Sequence, residues 1–281
     1  MHIGLSTCGK VMDEALFRAY RDAGISMMEI STAAGNYPEI DYGRLQSLSR
    51  QYGVTLWSFH LPFDPFEELD LSRPELADHT LAYFERLIQK AAAIGIRHFI
   101  VHPSGEPIAE ADRPARLACA KESLAKLANI AARYSAVIAV ENLPRTCLGR
   151  DSSDMLELLS AHPALKACFD TNHLLGEDPV EFIRKVGARF ITTHVSDYDF
   201  LNERHWLPGE GKLHWQSILA ALREAGYNGP WLYELNFTAP ATILRPRDLQ
   251  CRDFAQNAAE LFSGNNPTVI GTPVDGLTGW K

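Results

Sequence analysis

Short apolar runs rich in β-branched residues alternate along the chain with longer segments of helical period, and the alternation recurs eight times. The runs fall at residues 2–7, 26–31, 55–60, 97–102, 136–141, 166–170, 190–195 and 231–235. They are nearly continuous in apolar character, the pattern of parallel strands buried on both faces. The segments between them carry helix punctuation. Asp13-Glu14 opens a helix that stops at Gly24, and Asp41 opens one that stops at Gly53. Leu71-Ser72-Arg73-Pro74 predicts an N-cap and first turn for a long helix ending at Gly95. Asp178-Pro179 starts another that stops at Gly187, and Ser217 lies early in one that stops at Gly226. Eight strand–helix units predict a single (β/α)8 TIM barrel over residues 1–264. A tail, 265–281, follows; its Gly, Pro and Thr suit a cap over the barrel or an arm to a neighbouring subunit in a homo-oligomer. The competing topology, an open doubly wound sheet, wants a G-x-G-x-x-G loop after its first strand, and Thr7-Cys8-Gly9-Lys10 does not supply one.

Composition alters this picture little. With 281 residues, 46% apolar and 22% charged, the chain can bury a large core. A net charge of -8 disfavours nucleic acid and anionic membrane as partners. No apolar run approaches the roughly 20 residues of a membrane span, and Met1 leads straight into H-I-G-L-S-T, so a cytoplasmic protein without a leader is expected. The cysteines, Cys8, Cys119, Cys147, Cys168 and Cys251, are never spaced as C-x-x-C and read as buried thiols of a reducing compartment.

The chemistry lies where each apolar run stops. Run three ends in His60, four in His102, five in Glu141, six in Asp170 with His173 just beyond, seven in His194 and eight in Glu234. In a barrel the C-terminal strand ends open on one mouth, so these side chains converge. Four imidazoles and three carboxylates in an apolar mouth leave buried charge unpaired unless a cation holds them together. Mixed imidazole and carboxylate ligation suits zinc, manganese, iron or cobalt better than magnesium or calcium. After the seventh run, residues 193–215 add Asp197, Asp199, Glu203, His205, Glu210 and His214 to a segment too polar for a core and too aromatic for a linker. His2, His79, His98 and His162 sit on helices or at strand starts and read as structural, and His214 as a helix-start or surface residue.

The motifs His60-Leu61-Pro62-Phe63, Val101-His102-Pro103-Ser104, Val140-Glu141-Asn142-Leu143, Phe169-Asp170-Thr171-Asn172-His173, His194-Val195-Ser196-Asp197, Pro208-Gly209-Glu210-Gly211 and Tyr233-Glu234 stand in order at consecutive strand ends. In these the chain resembles the sugar phosphate isomerase/epimerase family of xylose isomerase-like TIM barrels, which also includes endonuclease IV. The resemblance implies one divalent ion, manganese, cobalt or zinc, held by Glu141, Asp170, His194 and Glu234. It implies that Glu141 and Glu234 are catalytic, moving a proton next to a carbonyl through an enediolate whose oxygens the metal holds. The substrate would then be a small sugar, sugar phosphate or keto-polyol, the last including dehydration. His173, His102 and Arg145 are the expected substrate-binding residues, Arg145 for an anion. Ketose 3-epimerases of the family carry a further Glu and Arg where this chain has Cys147 and Phe200, which points to another member. The alternative reading is an endonuclease IV-like phosphohydrolase with two or three ions. Its additional ligands would be His60, His102 and His173, with Glu203 and His205 in the register of an Asp-x-His motif.

Overall fold

A computed structural model describes residues 1–63 and 69–276. Eight parallel strands run β1 (Ile3–Ser6), β2 (Met27–Ile30), β3 (Thr55–His60), β4 (His98–Val101), β5 (Val137–Glu141), β6 (Lys166–Asp170), β7 (Phe190–His194) and β8 (Trp231–Tyr233). Their order in the sheet is β7-β6-β5-β4-β3-β2-β1-β8, each pair parallel. A parallel bridge between Val195 and Tyr233, with the Val195 N–H donating to Leu232 O at 2.8 Å, joins the two ends and closes the barrel. The expected (β/α)8 architecture is therefore present, with each predicted strand within one or two residues of its place.

The helices are α1 (Glu14–Ala23), α2 (Tyr42–Tyr52), α3 (Pro74–Ala93), α4 (Arg113–Ala132), α5 (Ser152–Leu159), α6 (Pro179–Val186), α7 (Trp215–Glu224) and α8 (Cys251–Phe262). Their ends are those that the local sequence favours. Asp13, Asp41 and Asp178 cap the free N–H groups of α1, α2 and α6, while Gly24 and Gly53 close α1 and α2 in the left-handed region. At α3 the cap differs from expectation. Arg73 stands at the N-cap without a side-chain bond, because the Ser72 hydroxyl donates to Asp70 at 2.6 Å instead.

Alternate strand residues face the helices and the barrel axis. Met28, Ile30, Phe59, Phe99, Val101, Ile138, Val140 and Phe169 join the helices in the main core, while Ile100, Ala139 and Cys168 form a small cluster of their own inside the barrel. The axial layers above that cluster are polar and lead to the mouth. Two register shifts set their aim. Between β2 and β3, Met28 pairs with Leu56 but Glu29 with Ser58, so Trp57 is the extra residue. Between β6 and β7, Ala167 pairs with Phe190 but Cys168 with Thr192, making Ile191 the extra one.

The tail does not leave the body of the protein over its described part. Thr272–Pro273 (β10) pairs antiparallel with Ile243–Leu244 (β9) of the loop after β8. Gly271 N–H donates to Glu210 at 2.7 Å, and Arg245 closes the same buried carboxylate from the other side at 2.6 Å. Residues 277–281 of the predicted tail lie outside the described residues. Of the thiols, Cys147, Cys168 and Cys251 are buried as expected, whereas Cys8 and Cys119 are half-exposed, Cys8 because it borders the mouth. Among the described residues no helix is long and apolar enough to cross a membrane.

Candidate metal centre

Glu141, Asp170, His194 and Glu234 stand at or one residue past the ends of β5, β6, β7 and β8, and one ligand atom from each lies within 4.8 Å of the others. Two further groups meet the same criterion: His60 with Glu141 and His194, and His173 with Glu203 and His205. The sequence-derived residues are thus brought together at one mouth.

The orientation of each ring follows from what its outer nitrogen meets. His60 Nδ1 donates to the Leu61 carbonyl at 2.8 Å and turns Nε2 to Glu141 Oε2 at 3.0 Å. His173 Nδ1 donates to the Asn142 carbonyl at 2.8 Å and turns Nε2 to Glu203 Oε1 at 2.9 Å. His102 Nε2 lies 3.2 Å from Glu141 Oε2, so two imidazoles address one carboxylate oxygen. His194 Nδ1 lies 3.0 Å from both Glu141 Oε1 and Glu234 Oε2. One nitrogen fixed by an outer acceptor and the other turned to a cluster of carboxylates is the arrangement of metal-ligating histidines.

Asp170 carries the sharpest sign that a cation belongs here. Its Oδ1 accepts the Asn172 N–H at 2.6 Å, but Oδ2 is buried, and no hydrogen-bond partner for it is found among the described residues. Burial pushes the Asp170 carboxyl well up from its ordinary range, and the neighbouring Glu141 and Glu234 add to this although His173 opposes it. Burial also works against the charge of Glu141 and Glu234, yet the imidazoles beside them, His194 above all, hold both below the usual carboxylate range. The donor set therefore fits a divalent ion: three carboxylates and an imidazole nitrogen converge on a place where one buried carboxylate oxygen has only the His173 and His194 rings at 3.6 and 3.9 Å and accepts no hydrogen bond among the described residues.

Glu203 and Arg145 form a second, adjoining cluster. The Arg145 guanidinium pairs with both Glu106 and Glu203 and donates to Asn202 Oδ1 at 3.0 Å. Burial raises the Glu203 carboxyl, but His173 and Arg145 overcome it and bring the group down to about 2. His173 is in turn pushed up to about 10, against burial, by Asp170 and Glu203. The arginine expected to take a substrate anion is engaged with protein carboxylates. His205 turns Nδ1 toward the Glu234 carbonyl at 3.4 Å, and burial lowers its basicity. His2, His79 and His214 are exposed, and His98 donates to the Trp57 carbonyl at 3.0 Å, so none of these approaches the centre.

Two cavities meet over these residues. One of about 520 Å³ is bordered by Cys8, His60, Glu141, His205, Glu234 and Asn236. A second of about 790 Å³ extends from His102 and His173 toward Leu76 and Phe84, with Cys147 in its wall. Phe200, by contrast, is 41% exposed and borders neither cavity.

One residue at the centre escapes a reading by strand ends. Glu29 is interior to β2, fully buried and turned to the axis, where its two oxygens lie 3.0 and 3.1 Å from His194 Nε2. Its signal was a single carboxylate inside an apolar strand run, Met27-Met28-Glu29-Ile30. A buried unpaired acid in that position is costly, so it needs a partner inside the barrel.

A protein of Methanocaldococcus jannaschii, MJ1311, described only as uncharacterized, is 26% identical over 194 residues; the match covers 66% of this chain and 66% of that protein. A D-tagatose 3-epimerase-like protein superposes with a TM-score of 0.73 at 22% identity, over 83% of this chain and 90% of the other. A D-psicose 3-epimerase determined in the presence of D-fructose gives 0.75 at 18% identity, over 94% and 98%. These structural likenesses establish the fold. The model of the xylose isomerase-like TIM barrel family matches residues 17–249, most of the chain, and the protein belongs to that family.

Proposed function

We propose that the protein is a metal-dependent isomerase or epimerase of a small sugar, sugar phosphate or related keto-polyol, acting by proton abstraction next to a carbonyl. The observation that carries this reading is the convergence of Glu141, Asp170, His194 and Glu234, with no hydrogen bond to Asp170 Oδ2 among the described residues. These four residues would hold the ion, which when bound supplies Lewis acidity to the carbonyl and hydroxyl oxygens of the substrate. Glu141 and Glu234 are the proton-transfer groups. Each is held as the carboxylate by neighbouring imidazoles, and each borders the smaller cavity, so one can take the proton from carbon while the other returns it. His60 and His102, both on Glu141 Oε2, leave its Oε1 to face His194 and the centre. His173 is placed to hold a substrate hydroxyl through the nitrogen that now faces Glu203. The named epimerases of this fold support a sugar as substrate. With Cys147 and Phe200 at the two positions noted above, the substrate differs from that of a free-ketose 3-epimerase.

The multi-ion hydrolase is the second reading, favoured by the His173, Glu203 and His205 group. Arg145 argues against it. Its guanidinium already supplies Glu203 with a positive charge, the office an additional ion would fill. Arg145 accordingly orients Glu203 rather than binding a substrate anion. Elemental analysis of protein purified without chelators separates the readings: about one manganese, cobalt or zinc per chain is expected, and about three zinc per chain would favour hydrolysis.

A further inference from the structure

His194 has carboxylates at both ring nitrogens: Glu141 and Glu234 at Nδ1, and Glu29 at Nε2. Without an ion, only the doubly protonated ring can donate to both sides. With a cation at Nδ1 the neutral ring serves, because Nε2–H still donates to Glu29 while the Nδ1 lone pair would be free for the ion. Glu29 is otherwise hard to account for as a structural residue. Among the described residues its one ion-pair partner is His194, and its one other side-chain hydrogen bond comes from Ser58 Oγ at 2.7 Å. The register shift at Trp57 sets Ser58 opposite Glu29, so the fold itself aims the hydroxyl at this carboxylate.

We propose that Glu29 is the positioning residue of the metal centre: it accepts the Nε2–H of His194 and thereby keeps His194 Nδ1 directed at the point where Glu141, Asp170 and Glu234 meet. The role rests on the metal-dependent reading above. Glu29 touches neither the ion nor the substrate and acts only through His194, by fixing the ring's orientation and making it a stronger donor. It also brings a fourth carboxylate to the centre, raising its preference for a divalent over a monovalent cation.

The test is Mn²⁺ affinity, read by competition with a fluorescent chelator, for the full-length wild type, Glu29→Gln and Glu29→Asp, with thermal midpoints of the metal-free proteins measured alongside. Glu29→Gln keeps the volume and one acceptor but removes the charge. It is expected to bind Mn²⁺ about 10–100-fold more weakly at a nearly unchanged midpoint, and Glu29→Asp to recover part of the loss. A folded Glu29→Gln protein with wild-type affinity would overturn the role while leaving the metal-dependent reading standing. Wild-type protein that binds none of Mn²⁺, Co²⁺ or Zn²⁺ would instead remove that reading and this role with it. If the variants do not fold, the wild type still decides. Zn²⁺-loaded, ¹⁵N-histidine-labelled protein should show an exchange-protected, far-downfield Nε2–H of His194, and its absence would contradict the proposal.

Discussion

Asp170 shows most directly how the four proposed ligands differ from histidines and acids that merely fill space. A carboxylate oxygen buried without a donor is costly, and the cost is tolerated where a cation completes the site. Asp170→Ala, His194→Ala and Glu234→Ala are therefore each expected to lose bound metal and activity, by a hundredfold or more in affinity, while His79→Ala on the outer face of α3 changes neither. Full metal content in all three, measured by elemental analysis, would remove the assignment. That these residues come together was legible in the sequence because each stands at or one residue past a strand end, and strand ends share one face of a barrel. Glu29 was not legible in the same way. Its importance depends on register, which places a mid-strand residue of β2 beneath the last residue of β7, and register is not visible in a single strand's pattern. Arg145 likewise read as an anion site from proximity to Glu141. Only the fold places Glu106 and Glu203 on either side of it.

At the scale of elements, the loop from β7 to α7 separates into three parts with different work. Asp197 is its hub: it accepts the N–H groups of Tyr198, Gly209 and Leu213 and the indole N–H of Trp215, at 2.8–3.1 Å. Gly211 passes so close that an added Cβ would sit 2.3 Å from Asp197 Oδ1, which explains a glycine there. Glu203 and His205 point to the mouth, and Glu210 anchors Arg245 and the tail. Asp197→Ala leaves several buried donors unpaired. At about 1–3 kcal/mol for each group left unsatisfied, a loss of at least about 3 kcal/mol in urea unfolding is expected. Metal content of the folded fraction should be retained, because Asp197 is not a ligand. Unchanged stability would mean that water replaces its bonds and that the hub is not structural. The sequence showed this segment as one polar, aromatic stretch. Its division emerges only when the antiparallel bridge of Asp197 to Trp206 folds the loop on itself.

For the molecule as a whole, the eightfold alternation was enough to predict a closed barrel, since nearly continuous apolar strands need cover on both faces. What the alternation could not convey was how closure is completed, through Val195 just past β7 and Tyr233 at the end of β8, or how the tail returns to β9. Both features matter to function because they hold β7, β8 and the loop beyond them, which carry His194, Glu234 and one wall of the smaller cavity. On the function proposed above, Glu141 and Glu234 stand on two sides of the centre that they share with His194, an arrangement suited to moving a proton. Solvent-deuterium exchange tests this most directly. Metal-loaded protein in D₂O, incubated with a panel of ketoses, ketose phosphates and keto-polyols and followed by mass spectrometry, should place deuterium on the carbon next to the carbonyl of at least one of them. Glu141→Gln and Glu234→Gln should each abolish that incorporation. Absence of exchange into every member of the panel, together with metal-dependent release of phosphate from a phosphate ester, would contradict the account.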